Sequence, residues 1–181
     1  MKYNLNRLIE QQDKPLKYLF FWGHQPSKDG NITKTCLSQW WESSFEVEGV
    51  VYPTAEHWMM AQKAKLFGDE DVFEQILDAK SPAEAKKLGR QIRNFDENAW
   101  LSEREKIVVE GNFHKFNQNK ALKEFLLQTQ QRVLAEASPV DAIWGIGLAA
   151  DHVDVLYPEK WPGLNLLGFA LMEVRDRLAK P

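Results

Sequence analysis

The chain has 181 residues, a net charge of −3 and a single cysteine, a size that fits one domain with a substantial core. The charge excludes a globally basic nucleic-acid binder, and one thiol with four scattered histidines excludes a disulfide framework and offers no metal-ligand spacing. No apolar run is long enough to span a membrane and Met1 to Asn4 opens no signal peptide, so a cytoplasmic, metal-free protein without a cofactor is expected.

In chain order, residues 1–17 are polar, with Leu5, Leu8 and Ile9 at helical spacing, and read as a short helix or arm laid on the domain formed by 18–181. Tyr18 to Trp22 is an aromatic run ended by Gly23 and reads as a buried strand. His24 to Thr35 is a long polar loop, a candidate lid. Phe45–Val47 and Val50–Tyr52 around Glu48-Gly49 predict a hairpin. Thr54 then caps a helix running to about Phe67, stopped by Gly68-Asp69.

A second helix is expected over Asp71 to Ala79. A third starts in the capping box Ser81-Pro82-Ala83-Glu84 and ends at Gly89. A longer helix follows from about Ala99 to Phe116, then one from Asn119 or Lys120 to Gln128. Short strands are expected at Arg132–Ala135 and Ile143–Gly145, and a last amphipathic helix from Asn165 or Leu166 to Leu178. Helices outnumber short strands without regular alternation, so the fold class is α+β: a single, predominantly helical domain with a small sheet.

The helix after Thr54 carries the densest chemistry. Glu56 falls in its first turn, expected half-exposed, and Lys63 lies two turns along the same face, so an acid and an amine look into one space. Asp141-Ala142-Ile143-Trp144-Gly145-Ile146-Gly147 sets an acid before two glycines that let backbone approach a phosphate or sugar, although no Rossmann, Walker or nucleophile-elbow pattern occurs. The remaining inventory is Glu56, Asp141, Lys63, Arg90, Arg175 and the aromatics Trp40, Trp41, Tyr52, Trp100 and Trp144. These groups suit cleavage of a glycosidic bond, where an electron-poor anomeric centre needs negative charge and a planar base needs a stacking face.

These residues stand in an ordered series: Gln39-Trp40-Trp41, Tyr52-Pro53-Thr54-Ala55-Glu56-His57, Ala61-Gln62-Lys63-Ala64, Leu88-Gly89-Arg90, Trp100, Lys115-Phe116, Asp141 to Gly147, Gly163 to Gly168, and Leu171 to Arg175. The series resembles the NADAR superfamily. The resemblance implies an N-glycosidase acting on phosphorylated aminopyrimidine intermediates of riboflavin synthesis or on ADP-ribosylated guanine in DNA, with Glu56, Lys63 and Asp141 catalytic. Trp40, Tyr52, Arg90, Trp100, Trp144, Gly145, Gly147 and Asn165 would bind the substrate. Two routes stay open: Glu56 supports an oxocarbenium-like transition state, or Lys63 attacks C1′ to form a Schiff base. A non-catalytic binder of ADP-ribose or another NAD-derived nucleotide is the alternative from another class.

Overall fold

A computed structural model describes residues 1–11 and 15–180, and among these are seven α-helices and four short strands, an α+β arrangement. They form two compact units. The first joins residues 1–38 to the segment from 121 onward, and the second is the continuous stretch Gln39–Lys120.

In the first unit, α1 (Leu5–Glu10) starts where the Asn4 side chain accepts from Arg7 N. The arm that carries it is tied down by Lys2 N on Glu173 and by the Tyr3 hydroxyl on Asp176. Part of the segment read as an arm, 12–14, lies outside the described residues. Strand β1 (Tyr18–Phe21) pairs in parallel with β4 (Val133–Glu136), Tyr18 opposite Val133 and Phe21 opposite Glu136. Residues 24–33 are irregular and lead to a 3₁₀ turn at Lys34–Leu37. The unit is completed by α6 (Lys120–Gln128), whose first residue belongs to the second unit, and by α7 (Leu166–Leu178).

Asn165 opens α7 in the left-handed region, φ 54°, and is fully buried. Its side chain does not cap α7. The Oδ1 accepts from Glu136 N at 3.0 Å and Nδ2 donates to Leu134 O at 2.9 Å, which fastens the start of α7 to β4. Asn165, expected to touch substrate, is therefore a backbone bridge: both ends of its amide are used inside the unit.

In the second unit, β2 (Phe45–Val47) and β3 (Val50–Tyr52) form the expected hairpin, closed by Glu48 and Gly49, both at positive φ. Around α2 (Ala55–Leu66) pack α3 (Glu70–Asp78), α4 (Pro82–Gly89) and α5 (Glu97–Gln118). The helix starts follow local chemistry. Thr54, Asp69, Ser81 and Asp96 each accept from a backbone N–H in the first turn of the helix they precede. The capping box at Ser81 is shifted, since the Glu84 carboxylate reaches back to Lys80 N rather than Ser81 N.

Every residue from Ala55 to Ala61 is buried, so α2 is a central helix with no wet stripe in its first half. Two neighbours approach it through glycines. A Cβ on Gly89 would lie 2.1 Å from Met60 Sδ, and one on Gly111 would lie 2.2 Å from the Trp58 ring. The Trp58 indole N–H meanwhile donates to Ile107 O at 2.8 Å, which holds the ring in place. In Gly111→Ala, a helix-propensity gain of about 1 kcal/mol competes with overpacking worth about 1–3 kcal/mol against a ring that cannot slide away. We expect this variant to be net destabilised in urea unfolding, and a gain in midpoint would contradict the packing.

Candidate active site

The second unit brings together the acid and amine helix of the sequence pattern. Glu56 is 3 % exposed, not half-exposed. Its backbone N–H donates to Gln39 O at 3.0 Å, and Gln39 is in turn held by Asn112, whose Nδ2 donates to Gln39 Oε1 at 2.7 Å and to Val108 O at 2.9 Å. A buried polar strut thus runs from α5 to the first turn of α2. Here the N-terminal helix field favours a carboxylate.

His57 belongs to the same support. Its Nε2–H donates to Ala79 O at 3.2 Å, which leaves Nδ1 to accept from the Thr54 hydroxyl at 2.8 Å, while Thr54 Oγ1 also accepts from His57 N. Burial lowers the imidazole pKa, so His57 is a neutral brace with both ring nitrogens engaged.

Lys63 lies two turns on and is half-buried. Its Nζ donates to Gly89 O at 2.9 Å and sits 4.5 Å from the Phe95 ring centroid and 5.6 Å from that of Trp100. The carbonyl and the ring faces favour the ammonium, whereas loss of water disfavours it. Burial is the cause that moves the pKa, and it moves it down. The amine therefore sits at the last residue of α4 beside the first turn of α5, in a setting that raises its neutral fraction.

The other called residues of this unit divide. Trp100 is partly exposed beside Lys63, and Arg90, exposed at the C-cap of α4, directly follows the carbonyl that holds the amine. Trp40 is partly exposed, with Lys86 Nζ 5.9 Å from its ring. Tyr52 is a core residue. It is 1 % exposed, with Phe45 stacked at 5.8 Å and Trp58 edge-on at 5.0 Å, so no ring face remains for a base.

Within the first unit, Asp141 Oδ1 accepts from Ile143 N at 2.9 Å and Trp144 N at 2.8 Å. Those two N–H groups are then lost to any ladder, which is why the strand expected at 143–145 is instead a turn. The carbonyls of Ile143 and Trp144 accept from Leu166 N and Leu167 N and so occupy the first turn of α7. The two glycines serve this loop. A Cβ on Gly145 would lie 2.8 Å from Glu136 O, and Gly147 adopts φ +73° beside Pro162. Their close approach is to the chain's own backbone. Trp144 remains partly exposed at the loop.

Sequence reasoning missed Asn112, Phe95 and the Gly89 carbonyl as parts of the site. Asn112 is fully buried in the middle of α5, a placement that signals a polar strut only once its partner is known. Phe95 lies between the third helix and the longer one, in a stretch to which the sequence pattern assigns no element. Lys115, fully buried on α5, stood in the Lys-Phe block with no role attached. Among the described residues no group of three acidic, His or Cys side chains forms a metal cluster, and no helix is long and apolar enough to cross a membrane.

Comparison with known proteins places this geometry. The NADAR domain model matches residues 20–179. N-glycosidase R617 of Acanthamoeba polyphaga mimivirus is 42 % identical over 88 % of this chain and 95 % of its own length. N-glycosidase YbiA of Escherichia coli is 35 % identical over 74 % of this chain and 75 % of its own. The NMR structure of E. coli YbiA matches with a TM-score of 0.71 over 90 % of this chain and 85 % of that one, at 31 % identity. A protein of Vibrio vulnificus named for riboflavin biosynthesis is 33 % identical over 78 % of this chain, which covers 35 % of that longer protein. With the family model running through almost the whole sequence, the chain belongs to the NADAR family.

Proposed function

We propose that this chain is an N-glycosidase that hydrolyses the ribosyl C–N bond of phosphorylated aminopyrimidine intermediates of riboflavin synthesis. The observation that carries the reaction is the setting of Lys63: an amine drawn out of water, held by one carbonyl beside two aromatic rings, on the helix whose first turn bears the buried Glu56. The names of the relatives support the substrate, YbiA and R617 as N-glycosidases and the Vibrio protein through riboflavin biosynthesis.

In the covalent route, the neutral Lys63 amine attacks C1′ of the opened sugar and gives up a proton to Glu56. That proton passes to the leaving nitrogen, the C1′–N bond to the aminopyrimidine breaks, and an imine links C1′ to Nζ. Water then adds to C1′ and releases the ribose phosphate and free lysine, so the net reaction consumes one water. Trp100 and Trp40 offer faces for the base, and the exposed Arg90 guanidinium suits the phosphate. Asp141 contributes through the loop it shapes and through its charge, with Trp144, Gly145 and Gly147 in that loop.

Glu56→Gln is isosteric at a buried position, and we expect it to fold while turnover of a phosphorylated ribosylaminopyrimidine, followed by release of the base, falls at least about a hundredfold. Lys63→Arg keeps the charge but loses the attacking lone pair and is expected to be nearly inactive, with borohydride trapping sugar on Lys63 of the parent protein. An active Lys63→Arg enzyme with no trapped adduct would return the chemistry to Glu56 and an oxocarbenium route. ADP-ribosylated DNA in a parallel reaction tests the second substrate class, and binding of ADP-ribose without turnover of either substrate would make the chain a nucleotide-binding protein.

The lowered lysine pKa fixes the pH dependence. The neutral amine accumulates as pH rises through the lowered value, so kcat/KM climbs with pH and levels off below the ordinary lysine pKa. A limb still rising at that ordinary value would contradict the reading.

Asp141→Asn keeps the Oδ1 acceptor for Ile143 and Trp144, and Asp141→Ala removes it. Loss of about 1 kcal/mol in denaturant unfolding is expected for Ala and less for Asn. If Asn also loses turnover, the charge acts as well as the turn, and full activity in Asn confines Asp141 to shaping the loop.

A further inference from the structure

The segment from Arg90 to Asp96 bridges α4 and α5, and its geometry is tightly specified. Ile92 is buried. Arg93 donates through its backbone N, Nε and Nη2 to Asp69, a carboxylate whose side chain is inaccessible, and through Nη2 to Asp71 as well. Asn94 takes the left-handed conformation, φ 56°. The next residue, Phe95, is laid over Lys63 Nζ at 4.5 Å with its ring edge-to-face against Phe67 at 5.2 Å, yet it is 47 % exposed. Charge-assisted bonds, a left-handed residue and a second aromatic all fix the place of a phenyl ring that is itself half in water. A core residue would be buried, and a plain connection would need none of this.

We infer that Phe95 is a positioning residue for Lys63: with Trp100 it closes an aromatic clasp that holds Nζ on the Gly89 carbonyl and keeps water from the amine. The inference rests on Lys63 as the attacking group and names the side chain that prepares it. The ring acts in two opposed ways. Its face attracts an ammonium, worth about 0.5–1 kcal/mol at exposed sites. Its bulk displaces the water that solvates one far better. Burial lowers the pKa of this lysine, and a ring 4.5 Å from Nζ fills space that water would otherwise occupy, so the clasp predicts that removing the ring raises the pKa. The charged groups on the surrounding elements are Glu56 and Lys65 on α2, Asp69 and Asp71 paired with Arg93 at the start of α3, Lys86 and Lys87 in the last turn of α4, Arg90 at its C-cap, and Glu97, Glu103 and Arg104 on α5.

The test reads the amine without a substrate. Trace acetylation with acetic anhydride across a pH series, with the Lys63 peptide quantified by mass spectrometry, gives its titration midpoint in the parent chain, Phe95→Ala, Phe95→Leu and Phe95→Trp. Phe95→Ala is expected to raise the midpoint by about half a pH unit or more, which cuts the neutral fraction about threefold at neutral pH. Phe95→Leu, the milder version should the Ala variant melt early, shifts it in the same direction by less. Phe95→Trp restores the parent value. On a phosphorylated ribosylaminopyrimidine, kcat/KM of Phe95→Ala falls about threefold or more at pH 7 and recovers toward the parent as pH rises. An unchanged or lowered midpoint in Phe95→Ala and Phe95→Leu, or a rate loss equal at every pH, overturns the clasp. A raised midpoint in a protein whose Lys63→Arg variant is fully active keeps the clasp and removes Lys63 as nucleophile.

Discussion

The second unit depends on how α2 begins. A helix start leaves four backbone N–H groups without intrahelical partners, and burying them unpaired costs about 1–3 kcal/mol each. This start is buried, and its groups are answered from two directions, by the Thr54 hydroxyl that accepts from His57 N and by the Gln39 carbonyl that receives Glu56 N, while the His57 ring braces Thr54 from the end of α3. Because each partner is itself held, Gln39 by Asn112 and His57 by Ala79 O, the orientation of the first turn is over-determined. Glu56 inherits that orientation. A carboxylate placed this way needs no flexible search to face the same side of the helix as Lys63.

Lys63 is set by a contest rather than by a single partner. A carbonyl oxygen and two ring faces would stabilise the ammonium, and burial opposes them. The balance leaves an amine that is well located and less basic than a surface lysine. An ion pair at the same spot would have reversed the outcome, since a carboxylate bonded to Nζ raises the pKa, as Asp154 does for Lys160 and Asp176 for Lys2. Holding the amine with a neutral acceptor is what separates location from charge stabilisation.

The sequence was most legible where a residue's role is local. Thr54 and Ser81 mark helix starts because a cap acts within one turn, and Glu48-Gly49 marks the hairpin because both positions require positive φ. It was least legible where the partner lies far along the chain. The start of α5 is a local exception: the pattern points to Ala99, and the helix begins at Glu97, one residue after the Asp96 cap. Glu56 was expected half-exposed, since nothing within its helix announces burial on every side. Residues 143–145 have strand-like composition, but their N–H groups are taken by Asp141 and their carbonyls by the helix at 166, so the turn is decided by groups outside the window. Tyr52 and Asn165 looked like ligand contacts by family position and are instead a core ring and a backbone bridge, for the same reason.

The parallel pairing of β1 with β4 has a further bearing on how the chain is made. Tyr18–Phe21 leaves the ribosome early, but its strand partner, Val133–Glu136, is translated after the whole of Gln39–Lys120. The continuous unit holds its hairpin and four helices within one uninterrupted stretch, so it is able to fold while β1 still waits for its partner strand. Synthesis at roughly 5–20 residues per second makes that wait long compared with hairpin or helix formation. The aromatic strand at the start of the first unit therefore stays open to chaperones and to mispairing throughout that wait, and a pause in translation between the two strands would lengthen the exposure of residues 1–38.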